Sequence, residues 1–146
     1  MESAVLSLAG SAHKVFADTS YFFALLHPHD SNHEKAVEVS EAVTNMRLNV
    51  YTTWDVVVET VALLRYGAGF DLAKIFLAEV KPDLILIYPV QGERDAAIQL
   101  FLRRSRNLRL SLCDVMSYTI VSTRLDWSPC LTFDADFAAL GLTILR

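Results

Sequence analysis

Four carboxylates stand where metal-assisted hydrolysis would need them: Asp18, Glu59, Asp114 and Asp134. Asp18 closes the apolar run Val15-Phe16-Ala17, and Asp134 closes the short segment Cys130-Leu131-Thr132-Phe133 in the same way. Asp114 opens a stretch carrying Val115, Tyr118, Ile120, Val121 and Leu125. Glu59 lies among Val56, Val57, Val58, Val61 and Ala62, an unusually apolar setting for an acid. Carboxylates packed together repel, and at neutral pH some take up protons unless a cation neutralises them. Hard oxygen donors suit Mg²⁺ or Mn²⁺. Such an ion activates water and stabilises an attacked phosphoryl group, so the chemistry implied is phosphodiester hydrolysis.

The elements around these acids must bring them together. Lys14 to Ala17 reads as a buried strand, since its apolar residues do not alternate with polar ones. A helix begins near Tyr21 and stops at His27-Pro28-His29-Asp30-Ser31. Ala36, Val39, Val43 and Met46 recur at helical spacing between about 32 and 46. Asn49 to Thr53 is expected as a second strand, and Thr53 as the N-cap of a helix from Trp54 to Tyr66 closed by Gly67 and Gly69. A short helix from Asp71 to Val80 precedes a third strand, Leu84 to Tyr88, which is apolar throughout and therefore expected to be buried on both faces. Two further helices follow, Glu93 to about Ser105 and Asp114 to about Leu125. The inner stripe of the first is Ala97, Leu100 and Phe101. Cys130 to Phe133 forms a fourth strand, Asp136 to Leu140 a short helix, and Leu142 to Leu145 a last edge strand.

Strands alternating with helices imply a parallel α/β sheet with helices on both faces. Right-handed crossovers point all the strands one way, so Asp18 and Asp134 end strands at one edge and Asp114 opens a helix there. Glu59 lies six residues past Thr53, about 9 Å along its helix, within reach of that edge.

Composition narrows the function. The chain has 146 residues, of which 53% are hydrophobic and 21% charged, enough for one domain and too apolar for a disordered chain. Its formal net charge of −4 gives no global positive field for nucleic acid. No apolar run approaches the length of about 20 residues that spans a bilayer, so no membrane association is expected. Residues 1–13 are read as a loose leader without the basic start of a secretory signal, and 14–146 as the domain. Cys113 and Cys130 have no metal-type spacing and are expected as free buried thiols of a reducing cytoplasm.

The stretch Phe16-Ala17-Asp18-Thr19-Ser20 begins an ordered set of motifs. It continues with Thr52-Thr53 and Glu59-Thr60-Val61-Ala62-Leu63-Leu64. Leu110-Ser111-Leu112-Cys113-Asp114-Val115-Met116-Ser117-Tyr118 and Leu131-Thr132-Phe133-Asp134-Ala135-Asp136-Phe137 complete it. In this order the set resembles the successive motifs of PIN domains, closest to the compact VapC-like toxins. The resemblance implies a three-layer α/β/α domain with a five-stranded parallel sheet. It also implies a Mg²⁺- or Mn²⁺-dependent endoribonuclease with Asp18, Glu59, Asp114 and Asp134 as its acidic quartet. Asp136 would be an auxiliary acid or a cap for the following helix. Ser20 and Ser117 would be small polar neighbours of the site. The partners implied are an RNA substrate, a small antitoxin protein and a second copy in a homodimer. Cys113 departs from the threonine that many relatives carry before the acid.

Each residue also has a plainer role. Asp18 and Asp114 are common helix-start acids, and Glu59 alone would be a solvated charge. Arg103, Arg104, Arg106 and Arg109 form either a solvated face or a phosphate-contacting RNA rim. His27, His29 and His33 match no common zinc spacing and read as a solvated loop. Tyr21, Phe22 and Phe23 read as core, with the alternative that one of them faces the groove and stacks on a base.

Overall fold

A computed structural model describes residues 13–145, so the proposed leader lies outside the described residues except for His13. Five strands form one sheet: β1 (Lys14–Ala17), β2 (Asn49–Thr53), β3 (Ile85–Ile87), β4 (Cys130–Leu131) and β5 (Ile144–Leu145). Their order is β3-β2-β1-β4-β5, and every pairing is parallel. The helices are α1 (Thr19–Leu26), α2 (His33–Asn45), α3 (Trp54–Gly67), α4 (Phe70–Ile75), α5 (Gln91–Arg104), α6 (Leu112–Arg124) and α7 (Asp136–Ala139). From β1 the chain steps outward through β2 to β3, then returns past β1 to β4 and β5. Right-handed crossovers put the helices of the outward and returning halves on opposite faces. The reversal makes a switch point between β1 and β4, where parallel sheets hold their ligands.

The central strands are covered on both sides. Val15, Phe16 and Ala17 of β1 and Cys130 and Leu131 of β4 have no exposed surface. They share the main core with Phe22, Val39, Val56, Leu64, Phe76, Ile120 and Phe137. The aromatic run divides as its helix dictates, with Tyr21 and Phe22 buried and Phe23 packed at the rim of the core. A smaller cluster of Ala97, Leu110, Val115 and Met116 joins α5 to α6, with Leu100 and Phe101 against it. Glu93 at the start of α5 pairs with Arg124 at the end of α6, so these two helices run antiparallel.

The third strand departs from expectation. It is shorter than Leu84 to Tyr88, it lies at the sheet edge, and Ile85 is exposed rather than covered on both faces. An apolar run reports β-propensity but not the place of a strand in the sheet, and three residues at an edge need only one partner. The region expected as one helix to Val80 is not uniform: α4 gives way to a wider π-helical turn at Phe76–Val80. Helix α3 does begin at the expected cap, with Val56 N donating to Thr53 Oγ1 at 3.1 Å. It ends where Gly69 takes a φ of 112°, a left-handed value open to glycine, and donates its N–H to Leu64 O.

Candidate functional site

The parallel register of β1 with β4 sets Phe16 beside Cys130 and Ala17 beside Leu131. One residue further along each strand, Asp18 therefore meets Thr132. Asp18 N donates to Leu131 O at 3.0 Å, and Thr132 Oγ1 donates to Asp18 Oδ2 at 3.0 Å. Ser20 Oγ donates to the same oxygen at 2.9 Å, and Ser20 N reaches it at 3.3 Å. Asp18 is thus the N-cap of α1 as well as a strand-end acid. The plain reading as a helix-start acid and the expected place at the end of β1 hold at once.

The network continues into β4. Phe133 N donates to Ser20 Oγ at 2.9 Å, and Asp134 N donates to Thr132 Oγ1 at 3.0 Å. One threonine hydroxyl therefore fixes two acids, touching the Asp18 carboxylate and the Asp134 backbone. Asp134 Oδ1 accepts from Asp136 N at 2.9 Å, so Asp134 ties down the turn into α7 and Asp136 occupies its first helical position.

Asp114 is held by its own helix. Ser111 caps α6 by accepting from Asp114 N at 3.1 Å, while Asp114 Oδ2 accepts from Ser111 N at 2.9 Å. This reciprocal pair is a capping box with aspartate at the third position. Ser117 is fully buried one turn on and donates to Cys113 O at 3.0 Å. Its hydroxyl thus serves the helix backbone.

Charge shows which acids are neighbours. Burial raises the pKa of Asp18, against the opposing hydrogen bonds from Ser20 and Thr132. Asp114 is pushed up to about 7, first by burial and then by the nearby charges of Asp18 and Asp134, with the Ser111 bonds opposing. Cys113 connects the last acid. Burial, a hydrogen bond to Glu59 and the charges of Glu59, Asp18 and Asp114 push its thiol well above the usual range. Asp18, Asp114 and Asp134 thus share one field, with Glu59 adjoining through Cys113. The ion pairs among the described residues, Lys14–Asp126, Lys35–Glu38 and Arg124–Glu93, leave all four acids unneutralised.

This donor set has the chemistry of a hard divalent cation site, being all carboxylate oxygen with excess negative charge. The side chains as placed do not close around one point, since no three His, Cys, Asp or Glu groups among the described residues are near enough to hold an ion together. Charge and donor type fit a metal, and the arrangement is an open cluster.

The other candidates are placed as follows. Arg103, Arg104, Arg106 and Arg109 are all exposed. They lie at and beyond the end of α5, the end that its antiparallel packing brings beside Asp114 in the first turn of α6. His33 Nδ1 lies 2.8 Å from Ala24 O, while the His27 and His29 rings meet edge to face, so the three do not form a ligand set. Two residues of the site were missed in the sequence, Thr132 and Ser111. Both were signalled there: Thr132 by a hydroxyl two residues before an acid, a local turn pattern, and Ser111 by Ser-x-x-Asp before an apolar run.

Both cysteines are free, and no described helix is long and apolar enough to cross a membrane. No protein-family model matches the chain, and no curated protein matches it in sequence. Solved structures do. VapC20 of Mycobacterium tuberculosis, described as a toxin that cleaves the sarcin–ricin loop, superposes with a TM-score of 0.80 at 22% identity, over 90% of this chain and 98% of that one. VapBC2 of Rickettsia felis, solved with a DNA fragment from its promoter, gives 0.64 at 10% identity over 90% and 97%. FitAcB of Neisseria gonorrhoeae gives 0.62 at 13% identity over 90% and 96%. The five-stranded parallel sheet with its flanking helices is therefore the PIN-like fold found in VapC toxins.

Proposed function

We propose that the protein is a Mg²⁺- or Mn²⁺-dependent endoribonuclease, the toxin of a toxin–antitoxin pair. The observation that carries this reading is the shared field of Asp18, Asp114 and Asp134 at the switch point of the sheet. Burial first, and the charges of Asp18 and Asp134 after it, push Asp114 up to about 7, and none of the ion pairs among the described residues involves these acids. The likeness of fold to a toxin described as cleaving an RNA loop supports the same choice.

Asp18, Glu59, Asp114 and Asp134 would hold the cation, with Asp136 as an auxiliary acid. Bound there, a divalent ion supplies positive charge at the attacked phosphoryl group and activates water. The chain's own residues do the positioning. Ser20 and Thr132 hold Asp18 Oδ2 at the end of β1, and Thr132 also fixes the start of the Asp134 turn. The Ser111 box sets the Asp114 carboxylate at the mouth of α6. The exposed arginines beyond α5 would receive RNA phosphates and offset the acidic total locally. Ser117, bonded to its own helix, would act only by keeping the first turns of α6 packed. A small antitoxin would cover the acidic edge, and the active form would be a homodimer in the cytoplasm.

The test is cleavage of single-stranded RNA by pure, inhibitor-free protein. Cleavage should need Mg²⁺ or Mn²⁺ and be lost in Asp18→Asn with folding intact. A short neighbouring reading frame whose product blocks cleavage would distinguish a toxin from a housekeeping processing nuclease. A second reading, a non-catalytic RNA- or protein-binding module, draws on the open placement of the acids. Equal behaviour of wild type and Asp114→Asn would favour it.

A further inference from the structure

A groove of about 380 Å³ opens between α3 and α6, beside the acidic cluster. Trp54, Val58, Leu112 and Met116 supply its apolar walls, and Asp55 and Glu59 its charge. Trp54 directly follows Thr53 at the end of β2, and Tyr88 directly follows Ile87 at the end of β3, so both lie at the same sheet edge as Asp18. Trp54 is 43% exposed and Tyr88 59%, yet their rings stack on each other, with centroids 6.2 Å apart and planes 27° off parallel. A stacked pair of half-exposed aromatic rings, with Trp54 on the groove wall, is a ready surface for another flat ring.

Charge selects what that ring belongs to. Asp55 and Glu59 give the groove a negative charge that disfavours a phosphate inside it, whereas the carboxylate of Asp55, outside the proposed cation site, is an acceptor suited to the N–H donors of a base edge. Glu59 is also one of the four acids, so a group seated here adjoins the place where a backbone phosphate would be cleaved. The base enters and the backbone stays outside. We propose, resting on the nuclease reading above, that this groove seats one unpaired nucleobase of the RNA substrate, stacked on Trp54 with Tyr88 supporting that ring.

The chain has two tryptophans, so Trp127→Phe leaves Trp54 as the sole indole reporter. In that background Asp18→Asn without divalent metal allows binding with no turnover. The probes are a single-stranded RNA decamer containing all four bases and the same decamer made abasic throughout. Saturable quenching of Trp54 fluorescence is expected from the first and not from the second. In the otherwise wild-type enzyme, Trp54→Ala should raise KM for a decamer substrate by roughly five- to a hundredfold, the range of one base–aromatic stack, with kcat largely kept. Trp54→Phe should recover most of the loss, and Tyr88→Leu should show a smaller change of the same kind. Equal quenching by both decamers, or decamer binding without quenching, would overturn the proposal. So would an unchanged KM in a well-folded Trp54→Ala enzyme that still cleaves, and the groove would then be open to a protein partner. Wild-type protein that cleaves no RNA with metal present would instead sink the nuclease reading, and the groove proposal with it.

Discussion

The acids at the two strand ends and those carried by helices are held in different ways. Asp18 is fixed across the fold, because the hydroxyl of Thr132, 114 residues away, reaches its carboxylate only through the β1–β4 pairing. Asp114 is fixed locally, by a cap three residues upstream that would form wherever α6 were placed. Breaking the first mode disturbs the relation between two acids. Breaking the second loosens one helix end. The strand-borne half thus depends on the sheet being assembled, and the helix-borne half on α6 being docked by Val115, Ile120 and Val121.

The largest contrast is expected from the acids themselves. Asp114→Asn and Asp134→Asn should each abolish metal-dependent RNA cleavage while circular dichroism stays native, since removing a repelling charge does not harm the fold. Thr132→Val should come next, lowering cation affinity by about 10- to 100-fold, the usual cost of losing a group that orients a ligand. It removes the donor to Asp18 and the acceptor for Asp134 N together, and titration of cleavage against Mn²⁺ concentration reads the change. Ser111→Ala should cost about 1 kcal/mol of stability in chemical denaturation, as for other N-cap losses, with a milder effect on cation affinity than Thr132→Val.

The proton dependence sharpens the comparison. Asp114 holds its proton more tightly folded, at about 7, than in the unfolded chain, at 3.8. Between those values the folded state binds more protons, so its contribution is full below about 4 and is lost as pH rises through 7. In chelator-treated protein, the Tm of wild type relative to Asp114→Asn should therefore fall from pH 4 to 7 and then level. A difference that does not change with pH would remove Asp114 from the shared field. The smallest effect is expected from Ser117→Ala, whose hydroxyl bonds only its own helix. Its cleavage rate should stay within about twofold of wild type, in line with a lost bond of about 1 kcal/mol or less that touches no acid.

Much of this was legible in the sequence because it is local. The Thr53 cap, the glycine stop of α3 and the two apolar strands ending in acid each follow from a few neighbouring residues. Strand order was not legible, because Leu84 to Tyr88 looks the same whether it sits at the centre or the edge of a sheet. The Cys113–Glu59 contact and the Ser20–Thr132 bridge join segments far apart in the chain, and only the assembled sheet and helices bring them together. Nor does spacing reveal how far four acids converge. Asp18, Asp114 and Asp134 share a field that Glu59 adjoins through Cys113, yet no three of the four stand close enough to ligate together among the described residues.

The most direct test is a thermal-shift titration with Mn²⁺ at pH 7, with RNA cleavage read in parallel, for wild type and Asp18→Asn. A cation held at the acidic edge should raise the Tm of wild type saturably, by roughly 5–10 °C at a hundredfold excess over Kd. Cleavage should rise over the same concentrations, and both responses should vanish in the variant. A wild-type Tm indifferent to Mn²⁺, or an Asp18→Asn protein that gains the same stability and cleaves at the same rate, would contradict the account.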